Sequence, residues 1–139
     1  NDRAKLELAR LQAYLGHADE AETTLASLSA EAKASTDAVG LRAQLEFARI
    51  VTSARPPEEL LPAIAANARD STARYELAAH LVLRQQYEAA LDQLLEIVRT
   101  DRKFRDDAGR KAMVSVFNLL GGTGEIVNEY RRKLSLALN

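Results

Sequence analysis

The stretch from Leu77 to Ile97 constrains this sequence more than any other. Leu77, Ala78 and Leu81 precede Gln85-Gln86, and Tyr87, Ala90, Leu94 and Ile97 follow it, the spacing of two amphipathic helices joined by a tight turn. Small side chains at Ala78 and Ala90 let the two helices approach closely. A hairpin of this kind cannot bury its apolar face alone, so it has to stack on neighbours. Leu8, Ala9, Gly16, Ala21, Leu25 and Leu28 repeat the order more loosely, with Ala21 lying 69 residues before Ala90. That separation is close to two periods of about 34 residues. Asp37 to Ala68 fills the interval with a weak third copy, in which Leu60 and Ala63 stand where a second helix should pack.

A length of 139 residues suits one folding unit, and 25 Ala and 21 Leu with no Trp, 3 Pro and 6 Gly favour helices over strands. The expectation is a single all-α domain over residues 1–139, a solenoid of about eight antiparallel helices. Leu8, Leu11 and Leu15 mark the first helix, broken at Gly16-His17-Ala18; Asp19 and Glu22 have the spacing of a capping box for the second, which carries Ala21, Leu25 and Leu28. A polar connection from Ser29 to Thr36 leads to the third, with Leu41, Leu45, Phe47, Ile50 and Val51. Pro56-Pro57 opens a fourth that Pro62 should keep short or kinked. Asp70-Ser71-Thr72 offers N-caps for the fifth, and the Gln pair divides it from the sixth. Met113, Val116, Phe117 and Leu120 define the seventh; Gly121-Gly122 stops it, and Thr123 can cap an eighth with Ile126, Tyr130 and Leu134 on one side.

Little in this sequence supports catalysis. With no cysteine there is no disulfide, thiolate metal site or redox pair, and His17 and His80 are the only histidines. Gly121-Gly122-Thr123-Gly124 resembles a phosphate-cradling loop, but no Gly-Lys-Ser/Thr follows and no strand precedes it, so a helix-to-helix turn is the better reading. Asp106 and Asp107 are neighbours that point in different directions on a helix, and Glu76 with His80 has no nucleophile nearby in sequence. No serine lies in a Gly-x-Ser-x-Gly context. The expectation is a protein without catalysis, cofactor or metal. No apolar run is long enough to cross a bilayer and no signal peptide is recognisable, which points to a cytoplasmic protein without a membrane partner.

Charge is unevenly distributed. Residues 1–98 carry a net charge of −5 and residues 99–139 one of +4. Arg102, Lys103 and Arg105 cluster with Arg99, Arg110 and Lys111, and Arg131, Arg132 and Lys133 follow Tyr130. The first cluster is a candidate anionic docking surface. Nucleic acid is its least favoured ligand, because one interleaved aromatic is a thin stacking platform and the rest of the domain is acidic.

The hairpin spacing around Ala78 and Ala90 resembles the tetratricopeptide repeat. From Arg74 to Leu138 the chain also resembles the helical region of bacterial co-chaperone thioredoxins of the YbbN/CnoX type, through Arg74-Tyr75-Glu76-Leu77-Ala78, Gln86-Tyr87-Glu88-Ala89-Ala90-Leu91, Asp101-Arg102-Lys103-Phe104-Arg105-Asp106-Asp107, Arg110-Lys111-Ala112-Met113, Val116-Phe117-Asn118-Leu119-Leu120-Gly121 and Tyr130-Arg131-Arg132-Lys133-Leu134. The first 55 residues agree only in helical character. The resemblance implies a cytoplasmic holdase that binds unfolded client proteins and docks on the GroEL chaperonin through its last helix. The chain starts at Asn1 and has no thioredoxin domain, so it is expected to be the C-terminal part of a longer thioredoxin-like protein. The docking role falls on Ile126, Val127, Tyr130, Arg131, Arg132, Leu134 and Leu138, with Ile126, Tyr130 and Leu134 as anchors and the stripe of Val127, Arg131 and Leu138 as the one that could be free. The rival within binding modules is a peptide receptor whose concave groove uses Arg42, Arg49 or Arg84.

Overall fold

The computed structural model describes all 139 residues and is entirely helical. Nine helices follow one another: α1 (Asp2–Tyr14), α2 (Ala18–Ala26), α3 (Ala30–Lys33), α4 (Thr36–Ser53), α5 (Pro57–Ala66), α6 (Ser71–Leu83), α7 (Tyr87–Thr100), α8 (Ala108–Leu119) and α9 (Glu125–Leu138). The helix beyond the expected eight is α3. It is a single turn in the polar connection, where the Ser29 hydroxyl accepts from the Ala32 N–H and caps four residues too few to show a periodicity.

Three helix-to-helix connections share one turn. At the end of α1 the Gly16 N–H donates to Ala13 and the His17 N–H to Gln12; at the end of α6 the Gln85 N–H donates to Val82 and the Gln86 N–H to Leu81; at the end of α8 the Gly121 N–H donates to Asn118 and the Gly122 N–H to Phe117. Each is a Schellman closure, in which a left-handed residue lets two N–H groups cover the last free carbonyls. Gly16 and Gly121 take that conformation at φ +82° and +88°, and Gln85 is forced into it at φ 60°. Asp70 caps α6 as expected, accepting from the Ala73 N–H at 3.0 Å. Two other expected caps are not made. Asp19 and Glu22 face Arg49 instead of closing a capping box at α2, and the N-cap of α9 is Gly124, not Thr123.

The hairpins do not stack in a simple row. α1 pairs with α2 and α6 with α7, but α5 packs on α6 rather than along α4, so the weak middle copy forms no close hairpin. Leu60 is fully buried with Ala73 and Leu77, on the far side of α6. α4 touches α1, α2, α3, α6 and α8. Because α6 also meets α7 and α7 meets α8, the helices α4, α6, α7 and α8 form a closed circuit around the main core, which includes Phe47, Val82, Leu91, Leu94, Met113, Val116 and Phe117. The end of α8 meets α4 at Gly40, where a Cβ would be in contact 3.4 Å from the Asn118 carbonyl oxygen. Gly109 admits a closer approach between α8 and α7, where a Cβ would come within 3.0 Å of Ile97.

A second, smaller core joins Ala9, Ala21, Leu25, Leu28, Ala38, Leu41 and Leu45. Here the reading of α1 needs correction. Leu8, Leu11 and Leu15 are about half exposed, and the residue at the heart of the hairpin is Ala9. The inner side of α1 is lined by Leu6, Ala9 and Ala13, so the three leucines face outward.

Candidate protein-binding surfaces

The α9 helix is amphipathic, and its apolar stripe covers α7. Val127 is 1 % exposed, Tyr130 3 % and Leu134 8 %, and all three belong to the main core, with Ile126, Ala137 and Leu138 packed against it. The Tyr130 hydroxyl donates to Asp92 on α7 at 2.6 Å. Burial first, and then the Asp92 carboxylate, push the Tyr130 phenol above its ordinary range. Val127, named as part of the stripe that could be free, is therefore a core residue; burial in a close-packed interior leaves it no access to a partner while α9 stays in place.

Other named residues of α9 are reachable. Arg131 is exposed with its guanidinium 5.6 Å from the centre of the Phe117 ring, and Arg132 is exposed with no carboxylate partner. Lys133 bonds Glu129 at 2.8 Å and lies 4.6 Å from the centre of the Tyr130 ring, and this pairing holds the Glu129 carboxyl below its usual range. Between α8 and α9 a cleft of about 400 Å³ is lined by Val114, Phe117, Arg131, Leu134, Ser135 and Leu138. Leu136, which no sequence argument singled out, is 70 % exposed on the outer side of α9.

The basic cluster near residue 100 is divided between neighbours. Arg102 donates to the Leu138 carbonyl at the end of α9, at 3.4 Å. Arg105 turns the other way and stacks on two rings, 5.5 Å from the centre of Tyr75 and 5.0 Å from that of Phe104. Lys103 is exposed without a carboxylate partner. Arg105, Asp106 and Asp107 are successive left-handed residues, at φ 42°, 57° and 66°. Such a run costs roughly 1–2 kcal/mol per residue. It is held by the Arg105 stacking, by Arg110 on Asp107 at 2.6 Å and by Lys111 on Asp106 at 3.1 Å. The two aspartates are thus ion-pair partners of the next turn.

Glu76 and His80 do not share a proton. Glu76 pairs with Arg55 at 3.1 Å and His80 Nε2 meets the Arg55 carbonyl at 2.9 Å, so both grip the connection between α4 and α5. His17 lies exposed at the start of α2. Along α4, Arg49 is clamped by Glu22 and Asp19, each with a contact of 2.8 Å, and the clamp lowers the pKa of Glu22 and raises that of Arg49. Arg84 is exposed at the end of α6, on a different element. No helix is long and apolar enough to cross a membrane.

Paired helices with alanines at the crossing points and a repeated turn define a helical-repeat scaffold, a class that works by presenting surface to other proteins. The family model for the tetratricopeptide repeat matches residues 50–139, nearly two thirds of the chain. The protein belongs to the tetratricopeptide repeat family and is a protein–protein interaction scaffold, of a kind that is typically non-catalytic. A comparison with curated proteins finds no significant match.

Proposed function

We propose that this domain is the protein-binding arm of a thioredoxin-like co-chaperone, holding unfolded clients and docking on the GroEL chaperonin through α9. The sequence resemblance over Arg74–Leu138 supports this, and it falls within the stretch matched by the repeat family. The observation that carries the surface assignment is the outer side of α9. There Leu136 projects at 70 % exposure one helical turn from the exposed Arg132, and on another side of the helix Arg131 and Leu138 line the cleft with Val114. An exposed leucine with a free cation one turn away suits a groove with an apolar pocket and an acidic rim. Ile126, Val127, Tyr130 and Leu134 serve by fixing α9 in register.

A clamp across the inner side of the hairpins is less favoured by the geometry, because α8 lies there against Gly40 and covers Phe47. The test is size-exclusion co-elution with GroEL. Truncation at Gly122 would uncover the core that Tyr130 and Leu134 seal, so point variants are the cleaner tool. Leu136→Asp with Arg132→Glu should abolish co-elution while leaving the circular dichroism melt unchanged. Co-elution that survives both changes would remove α9 from the docking role.

A further inference from the structure

The outer side of α1 carries an apolar stripe that the α9 reading does not use. Leu8, Leu11 and Leu15 are about half exposed and Tyr14 is 87 % exposed, all on this one helix, whereas Leu61, Leu83, Val114 and Leu136 stand singly on four others. Ala4, Leu8, Leu11 and Leu15 follow one another at intervals of four, three and four, the seam spacing of a coiled coil. The end of a repeat stack ordinarily turns a polar side outward. At this end, where α1 packs on α2 and more lightly on α4, the outward side is apolar. The polar residues flanking the stripe are already engaged within the chain: Lys5 donates to the Ser27 carbonyl at 3.1 Å, Gln12 accepts from the Thr24 hydroxyl at 2.7 Å, and Arg10 pairs with Glu7 and Asp37.

The second hairpin shows what fits such a side. Ala73 and Leu77 stand 69 residues after Ala4 and Leu8, and there Leu60 of α5 is fully buried against both. A connection of four residues joins α5 to α6, so the two helices run antiparallel. On α1 the same pair of residues is uncovered. A leucine from an antiparallel helix matches it, and α1 carries leucines at the right spacing itself. We infer that α1 pairs antiparallel with α1 of a second copy of this chain, about a two-fold axis between Leu8 and Leu11. Each Leu15 then sits over the partner's Ala4 and Leu8, as Leu60 sits over Ala73 and Leu77.

Charge complementarity favours this arrangement. Arg3 is exposed without a carboxylate partner, and the last turn of α1 has no basic residue. Antiparallel pairing sets each Arg3 beside the carbonyl end of the partner's helix, where a cation is stabilised, whereas parallel pairing would set the two Arg3 side chains together. It also brings each Tyr14 hydroxyl toward the partner's Glu7 on the same flank of the seam. Arg10 approaches its own copy, but Glu7 and Asp37 neutralise it. The stripe offers about 500 Å² per protomer and about 1,000 Å² in all, the lower bound for a specific interface. A dimer of that size is weak, with a dissociation constant on the order of 10 µM. At about 1 µM the chain is therefore a monomer, and unfolding measured there finds Leu8 and Leu11 in water.

Sedimentation equilibrium of the intact 139-residue chain, from about 1 to about 300 µM, tests this. The mean mass should rise from 15.3 kDa toward twice that value. Leu11→Asp places a carboxylate in the dry seam and should hold the mass at 15.3 kDa throughout. Its circular dichroism melt at about 1 µM should match that of the parent chain, because this side chain is exposed in the monomer. Arg3→Glu should raise the dissociation constant roughly fivefold. Leu136→Asp, on α9, should leave the association unchanged. The chain has no cysteine, so orientation can be read by cross-linking. Oxidation of an equimolar mixture of Ala4→Cys and Leu15→Cys chains should give the mixed disulfide dimer, and Leu15→Cys alone should give none. A mass of 15.3 kDa at every concentration would overturn the inference and leave the stripe to a helix of another protein. So would a dimer that survives Leu11→Asp, or ready cross-linking of Leu15→Cys alone. None of these outcomes depends on α9, so GroEL co-elution stands or falls separately.

Discussion

The hairpins α1–α2 and α6–α7 are two copies of one design set in different surroundings. Offset by 69 residues, Ala9 matches Ala78 and Ala21 matches Ala90, all fully buried; Leu25 matches Leu94 and Leu28 matches Ile97, and the left-handed Gly16 matches Gln85. The outer flank differs. Leu77 is 4 % exposed because α5 lies over it, whereas its counterpart Leu8 is 47 % exposed because no helix covers α1 on that side. The helix α7 is likewise covered by α8 and α9, while beyond its own hairpin α2 is covered chiefly by α4. The same residue order is therefore worth different amounts of stability, and neighbours set the difference. In a helical repeat the internal pattern fixes the hairpin, and burial is decided between hairpins.

The sharpest way to break the comparison is truncation at the matched leucines. Leu77→Ala should cost about 3 kcal/mol in urea unfolding, and Leu8→Ala less than about 0.5 kcal/mol. Equal losses would mean that α1 is covered in solution. Next in size is Tyr130→Phe, which removes the bond to Asp92 and should cost about 1 kcal/mol. It also tests the sign of the tyrosine shift. Because folding raises this pKa, the phenol ionises first in the unfolded chain, so its stabilisation is complete below about pH 10 and is lost as pH rises from there. Melting temperatures between pH 9 and 11 should therefore fall less steeply in Tyr130→Phe. A third pair exchanges the turn residues: Gly16→Ala should destabilise by about 1 kcal/mol, and Gln85→Gly should stabilise by a similar or smaller amount, both read from thermal melts. The smallest effect is expected at Leu11→Gln, within about 0.5 kcal/mol, since that side chain already stands in water.

The hairpins themselves were legible because they are local. Alanine at the crossings and leucine at helical spacing declare α6 and α7 without reference to anything else, and Asp70 and Gln85-Gln86 mark their boundaries correctly. The packing of α5 on α6 and of α8 on α4 was not legible, because it depends on which apolar side finds a neighbour far along the chain. Gly40 was the available signal. A glycine in the second turn of an eighteen-residue helix weakens it, and here it marks where the end of α8 packs on α4. Leu136 escaped for the same reason, as did the meeting of Arg49 with Tyr75 and Arg105, which line one cavity only through the fold. Of the residues assigned to docking on α9, sequence could name the helix but not the side that faces water.

The circuit of α4, α6, α7 and α8 also sets how the molecule comes apart. In an open row of repeats each hairpin can fray from an end, and stability is a sum over neighbouring pairs. A ring of helices has no end to fray from, so these four should exchange their amide protons together, at the rate of global unfolding. The elements α1, α2 and α3 pack on the ring chiefly through α4 and lie outside it. They can open as a separate unit at lower free energy, leaving α4 folded behind them. The cavity between α2, α3 and α4 that Glu22 and Lys33 wall would then open while the cavity that Tyr75 and Arg105 line stays fixed, so that one flank of α4 is built on hinged material and the other on rigid.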